Sequence, residues 1–240
     1  MKAHFLVIAA NVAALGASGL TKASDIIVPA GDAVPGLTAP GLNGAVYHDG
    51  LAQPLTGDPA TELSALNVVI AAGPNSTFNA LSLNFDANGT DLTPTNTFLG
   101  ADSNGTAASD TTPLNTTIFD MTGVLSIPEA GTYTFTAQNS DDASYILIDG
   151  QTVVSVPGSH LALTDSGTAT FAAPGNYPIE VLYANQDYKN STGAASFQYA
   201  SDFSAAGDPH MELGHVVPEP ATIGLIALGS LGLVARRRRV

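Results

Sequence analysis

The sequence predicts an all-β chain, an antiparallel β-sandwich flanked by an N-terminal signal peptide and a short C-terminal transmembrane helix. Three observations carry that prediction. Apolar residues recur at period two in several short runs, the pattern of half-buried strands. Gly 24 and Pro 15, with abundant Asn, Ser and Thr, supply tight turns between such runs. No long amphipathic helical stretch competes; Thr61 to Ala72 makes at most one short helix or a strand.

Residues 1–23 read as a secretory signal: Lys2 gives a charged start, and Phe5 to Leu15 form an apolar run interrupted only by Asn11. Small residues then lead to a cleavage point after Thr21-Lys22-Ala23. The run falls short of the ~20 residues that a permanent span needs. Residues 24–40, rich in Pro and Gly, read as a linker, and residues 201–216 as a spacer. The interval 41–200 between them is the sandwich.

Within it, Leu81, Leu83 and Phe85 alternate with Ser82 and Asn84. Tyr133, Phe135 and Ala137 alternate with Thr134 and Thr136, and Tyr177, Ile179, Val181 and Tyr183 repeat the pattern. Tyr145 to Ile148 and Thr152 to Val156 are β-rich runs separated by Asp149-Gly150, the strongest short hairpin signal. Tyr133, Phe135, Ile179 and Val181 are expected to face the core.

The 240 residues include 21 acidic and seven basic ones, and neither Cys nor Trp. Lys2, Lys22 and Arg236 to Arg239 sit at the ends, so Lys189 is the only basic residue between. With 21 acids and that one Lys, the interval carries a net charge of about −20. Such a surface repels nucleic acid and anionic lipid and attracts divalent cations. Nucleic-acid binding is excluded. Lack of Cys removes any disulfide framework, thiolate zinc site or thiol nucleophile. With no Gly-x-Ser-x-Gly elbow, HExxH or P-loop either, no enzyme is expected.

At the C-terminus, Val217-Pro218-Glu219-Pro220 leads into an uncharged, mostly apolar stretch, residues 221–235, and then Arg236-Arg237-Arg238-Arg239-Val240. Fifteen residues at 1.5 Å each make about 22 Å of helix, short of a ~30 Å hydrocarbon core. The Arg cluster holds its end in the cytoplasm by the positive-inside rule. This order of parts resembles the PEP-CTERM sorting signal over residues 217–240. The resemblance implies transient anchoring at the inner membrane, processing by an exosortase-type enzyme, and delivery to the cell surface or extracellular matrix.

A second resemblance covers residues 41–200. Gly41-Leu42-Asn43-Gly44-Ala45-Val46-Tyr47 is similar to the opening of protective-antigen-fourteen domains. The family's central block follows in order: Phe119 to Pro128, Gly131-Thr132-Tyr133, Ser140-Asp141-Asp142, Asp149-Gly150 and Gly175-Asn176-Tyr177. Residues 51–118 match poorly, which implies insertions, and Ala143 stands where a Gly often follows the Asp pair. The resemblance implies a β-sandwich used as a carbohydrate-binding or adhesion module, with surface or matrix polysaccharide as partner.

Asp141 and Asp142 are the sharpest site candidates. Neighbours in a regular strand point to opposite faces, so their carboxylates converge only where the backbone is irregular. In the family's calcium-dependent adhesins the pair joins through a cis peptide and both carboxylates bind one Ca²⁺, the cofactor implied here. Other members carry the pair as a turn element without a known ligand. The segment Ala184 to Gly193 is the expected second loop, with Asn185 and Asp187 as further metal ligands and Asn190 and Tyr188 as sugar contacts. Asp149 reads as turn chemistry and His160 as structural, while His210, Glu212 and His215 fall in the spacer. Asp86-Ala-Asn88-Gly and Asp102-Ser-Asn104-Gly are fragments of oxygen-ligand loops without the terminal Glu, and read as loops. The expected function is a calcium-dependent glycan-binding or adhesive module. The alternative is a structural exopolysaccharide-matrix or biofilm protein with no specific ligand.

Overall fold

In the computed structural model, the described residues are 25–30, 39–48, 55–81, 83–86, 92–160, 163–186, 194–201 and 212–215. Residues 1–23, read as a secretory signal, and the sorting tail 217–240 lie outside them. No helix among the described residues is long and apolar enough to cross a membrane.

Thirteen strands are described: β1 (Ile26–Val28), β2 (Ala39–Pro40), β3 (Leu42–Tyr47), β4 (Ser76–Ala80), β5 (Asn84–Asp86), β6 (Thr117–Ile127), β7 (Gly131–Ser140), β8 (Ala143–Ile148), β9 (Gln151–Val156), β10 (Leu163–Phe171), β11 (Gly175–Asn185), β12 (Ala194–Ser201) and β13 (Glu212–His215). Five of them form one sheet in the order β1-β10-β7-β12-β5, and eight form the other. The larger sheet runs β2-β13-β6-β11-β8-β9, with β3 on the same edge of β6 as β13 and β4 beyond β3. The chain is a mostly-β sandwich, as expected.

The strongest sequence signals sit where they were expected. Asp149 and Gly150 turn the β8–β9 hairpin with φ of 51° and 70°, the left-handed pair that a two-residue hairpin needs. Tyr133, Phe135, Ile179 and Val181 are buried between the sheets. Two tyrosines brace strand starts in the same way: the Tyr133 hydroxyl donates to the Glu129 carbonyl (2.9 Å) and that of Tyr177 to the Ala173 carbonyl (2.7 Å). At the other end of the core, Phe78, Phe85, Phe98, Phe119 and Tyr183 form one aromatic cluster with centroids 5.1–6.4 Å apart.

Other readings change. Leu81 is 54% exposed whereas Leu83 and Phe85 are buried, because β4 ends at Ala80 and Leu83 takes φ 48°. The expected alternation is therefore broken by a bend. Residues read as linker hold β1, whose Ile26 and Val28 enter the core beside β10, and β2; residues read as spacer hold β13, which extends β6. In the interval 51–118, Pro59–Ile70 forms helix α1 and Thr95–Leu99 a short helix α2. Asp58 caps α1, accepting the Thr61 N–H (3.0 Å), with Pro59 in the first turn. Leu66 buries against Tyr47, Tyr145 and Leu182 on the outer face of the larger sheet.

Candidate functional site

Asp141 and Asp142 are the whole connection between β7, in the smaller sheet, and β8, in the larger one. Packed sheets lie ~10 Å apart, and three Cα–Cα steps of 3.8 Å span just that distance. The crossing is thus short, irregular and enclosed. Asp142 takes φ 68°, a left-handed conformation that Asp tolerates better than most residues. No described peptide bond is cis. The Asp141–Asp142 bond is trans, unlike the geometry implied by the calcium-dependent adhesins. The irregularity comes from the φ of Asp142.

Both carboxylates are 1% exposed. One oxygen of Asp142, Oδ1, accepts the His160 N–H (3.0 Å) and the other, Oδ2, accepts the Gln186 N–H (2.8 Å). The Asp142 N–H in turn donates to the His160 carbonyl (3.3 Å). Asp142 therefore ties the segment after β9 to the end of β11. Burial pushes its carboxyl above the usual range, against the opposing pull of the Gln186 amide, the Ser159 side chain, and the His160 amide and ring. The Ser140 hydroxyl bonds the Ser144 hydroxyl and donates to the Asp142 carbonyl (3.1 Å), closing the turn from below. Asn185, fully buried, donates from Nδ2 to the Leu114 carbonyl (3.2 Å).

The fold thus brings Asp141, Asp142 and Asn185 to one corner of the sandwich. Asp187, Tyr188 and Asn190 lie outside the described residues, as do Pro218, Glu219, Pro220 and Arg236 to Arg239. No group of three His, Cys, Asp or Glu side chains suited to a metal occurs among the described residues. The oxygen-only donor set, two buried carboxylates and one buried amide, suits a hard cation. No Lys or Arg is present among the described residues to neutralise it.

The other candidates go elsewhere. Asp149 sits in the turn just past the far end of β8, with the whole strand between it and the corner. His215 reaches the Gly41 carbonyl through Nδ1 (2.9 Å), Asn104 bonds Asn79 of β4, and Asp102 bonds Leu81 just past its end. His210 and Asn88 lie outside the described residues. Sequence reasoning missed the Gln186 and His160 amides, since a backbone N–H leaves no side-chain signature. It also missed Glu62, whose Asp-Pro-x-x-Glu context marks a helix start and not a site.

The PA14 domain family matches residues 74–208. The PEP-CTERM protein-sorting motif matches residues 216–239 and marks the chain as an exported protein. Among curated proteins no sequence matches. The solved structures that share the fold include two PA14 domains. A PA14 sugar-binding domain from an RTX adhesin is 24% identical, with a TM-score of 0.59, over 75% of this chain and 100% of that one. The PA14 domain of the antifreeze protein MpAFP is 21% identical, with a TM-score of 0.57, over 79% of this chain and 98% of that one. With more than half its length matched, the chain belongs to the PA14 domain family.

Proposed function

We propose that this protein is an exported, non-enzymatic glycan-binding or adhesive module whose binding corner is organised by calcium at Asp141–Asp142. The observation that carries the reading is a pair of buried carboxylates at the crossing between sheets, in a body whose described residues include no Lys or Arg. Buried charges persist where they are paired or coordinate a metal. Asp141, Asp142 and Asn185 would hold the ion, joined by Asp187, with Tyr188 and Asn190 contacting the sugar. A bound calcium would supply a positive centre toward which sugar hydroxyls turn. The two amides on Asp142 orient its carboxylate, and the enclosed crossing excludes water from one side of it. The RTX adhesin domain, described as sugar-binding, supports the ligand class.

The sorting motif adds the itinerary: transient anchoring in the inner membrane through residues 221–235, processing by an exosortase-type enzyme, and retention near a surface or matrix polysaccharide. A glycan array probed with calcium and with chelator tests the ligand. Calcium-dependent binding that disappears in Asp141→Asn/Asp142→Asn is expected. Absence of binding to any glycan in either buffer would favour a structural matrix protein without a specific ligand.

A further inference from the structure

We infer that α1 and its lead-in, Leu55 to Ile70, clamp the Asp142 corner, with Glu62 and Gln186 as positioning residues for the cation and sugar site. The inference rests on the calcium reading for its function, but its geometry stands alone. Glu62 is 2% exposed and sits in the first turn of α1. Its Oε2 accepts the Tyr145 hydroxyl (2.6 Å) and the Gly158 N–H (3.0 Å), and its Oε1 accepts the Gly57 N–H (2.5 Å). Three donors from three elements meet on one carboxylate. Such charge-assisted bonds are among the strong ones, and a buried carboxylate with its acceptors filled is costly to disturb. Burial raises the Tyr145 hydroxyl well above its ordinary range, and the Glu62 carboxylate raises it further.

From Glu62 two routes lead to Asp142. Gly158 stands two residues before His160, whose N–H and carbonyl both bond Asp142. The Leu55 N–H donates to Gln186 Oε1 (3.1 Å), and the Gln186 N–H donates to Asp142 Oδ2 (2.8 Å). The helix and its lead-in therefore hold the two segments that flank the acid pair, from the outer face of the larger sheet. Gly158 takes φ 96°, a left-handed conformation that other residues rarely adopt, and presents its N–H to Glu62 from there. Glu62 and Leu55 lie before the interval 74–208 matched by the family, whereas Tyr145, Gly158, His160 and Gln186 lie within it. The clamp fixes the corner before any ligand arrives.

The test uses the full chain in detergent, comparing wild type, Glu62→Ala, Gln186→Ala and Val28→Ala. Val28 is fully buried, but its partner Phe171 pairs with Gly131, at the end of β7 opposite Ser140. Its truncation therefore lowers melting temperature without touching the corner. Amide hydrogen exchange without calcium reads the clamp itself. In Glu62→Ala, the His160 and Gln186 amides, which Glu62 does not touch, should exchange at least tenfold faster, and in Val28→Ala they should not. Calcium titration then reads function, with affinity at least tenfold weaker in Glu62→Ala and Gln186→Ala and within twofold of wild type in Val28→Ala. Unchanged exchange at His160 and Gln186 in Glu62→Ala overturns the clamp. Accelerated exchange in Glu62→Ala alongside a wild type that binds no calcium leaves the clamp standing and removes the calcium reading. Equal acceleration in Val28→Ala reduces the effect to general destabilisation and also overturns the clamp.

Discussion

Asp120 lies on β6 opposite Leu182 of β11 and Ala45 of β3, on the sheet face that α1 partly covers. Glu180, two residues from Leu182, shares that face, as does Tyr47. Asp120 is 9% exposed, and its Oδ1 has no hydrogen-bond partner. Burial first, then the Glu180 charge, pushes its carboxyl up to about 7, and burial raises Glu180 as well. An acid whose folded pKa is raised contributes stability that is fully present below its unfolded value, near pH 4. That stability is lost as pH climbs through about 7. The loss is at most about 4 kcal/mol, and solvent screening reduces it. Asp120→Asn should flatten the fall in stability between pH 4 and pH 8 and stabilise the protein at pH 8 by about 1–3 kcal/mol. Denaturant titrations across that range check it. A wild-type slope retained in the variant would assign the pH dependence to other groups.

The segment Asp102 to Thr106 seals the open edge of β4, which pairs with β3 on its other side. The Thr77 N–H donates to Thr106 Oγ1 (2.7 Å), the Asn79 N–H to Asn104 Oδ1 (2.7 Å) and the Leu81 N–H to Asp102 Oδ1 (3.0 Å). Asn104 Nδ2 returns a bond to the Asn79 carbonyl (2.9 Å), as a neighbouring strand's backbone would. Alternate side chains thus stand in for a strand and protect an edge that would otherwise invite pairing with another chain. Gly105 allows the approach, since a Cβ there would lie 2.6 Å from the Thr77 carbonyl oxygen. Truncating all three (Asp102→Ala, Asn104→Ala, Thr106→Ala) should cost about 1–3 kcal/mol per unsatisfied amide and yield concentration-dependent oligomers. Light scattering on the fractionated protein reads this; a strictly monomeric triple variant would contradict edge protection.

The same residues show what the sequence could carry at the scale of elements. Period two in Tyr133–Ala137 and Tyr177–Tyr183, and Asp149-Gly150 at a turn, report local geometry that side chains impose, so those elements were legible. Asp102-Ser-Asn104-Gly looked like part of a calcium loop because its oxygens are real; their partners are backbone amides from a strand twenty residues away. The helix start at Asp58-Pro59 was legible in principle, but α1 has a weakly one-sided apolar face and its burial is supplied by the sheet beneath it. β1, β2 and β13 are two to four residues long and exist through pairing, which no local signal encodes. At the site, the acid pair was visible, but its amide partners and the Glu62 clamp were not.

At the scale of the molecule, charge dominates. His48 Nε2 lies 2.8 Å from Asp110 Oδ2, and Ser76 and Thr112 also bond that Asp. The remaining acids repel across a body without Lys or Arg among those residues. The tail carries the balancing charge, and its removal would leave the mature protein more acidic. Mass spectrometry of the extracellular form should find about the last 20 residues absent. An intact Arg236 to Arg239 would contradict exosortase processing.

So acidic a body should respond to any cation through screening, whereas the proposed site requires a response that is local, saturable and selective. At 100 Kd of free calcium, binding to the folded state alone adds about 2.7 kcal/mol, or roughly 5–10 °C in melting temperature. The decisive measurement compares calcium with magnesium at constant ionic strength in wild type, Asp141→Asn/Asp142→Asn and Glu129→Gln. Glu129 is the control because it is exposed, and its contribution to the fold is its carbonyl bond to Tyr133. The account predicts a calcium-selective rise in wild type and Glu129→Gln and none in the double variant. Equal rises in all three proteins, or equal rises with magnesium, would contradict it.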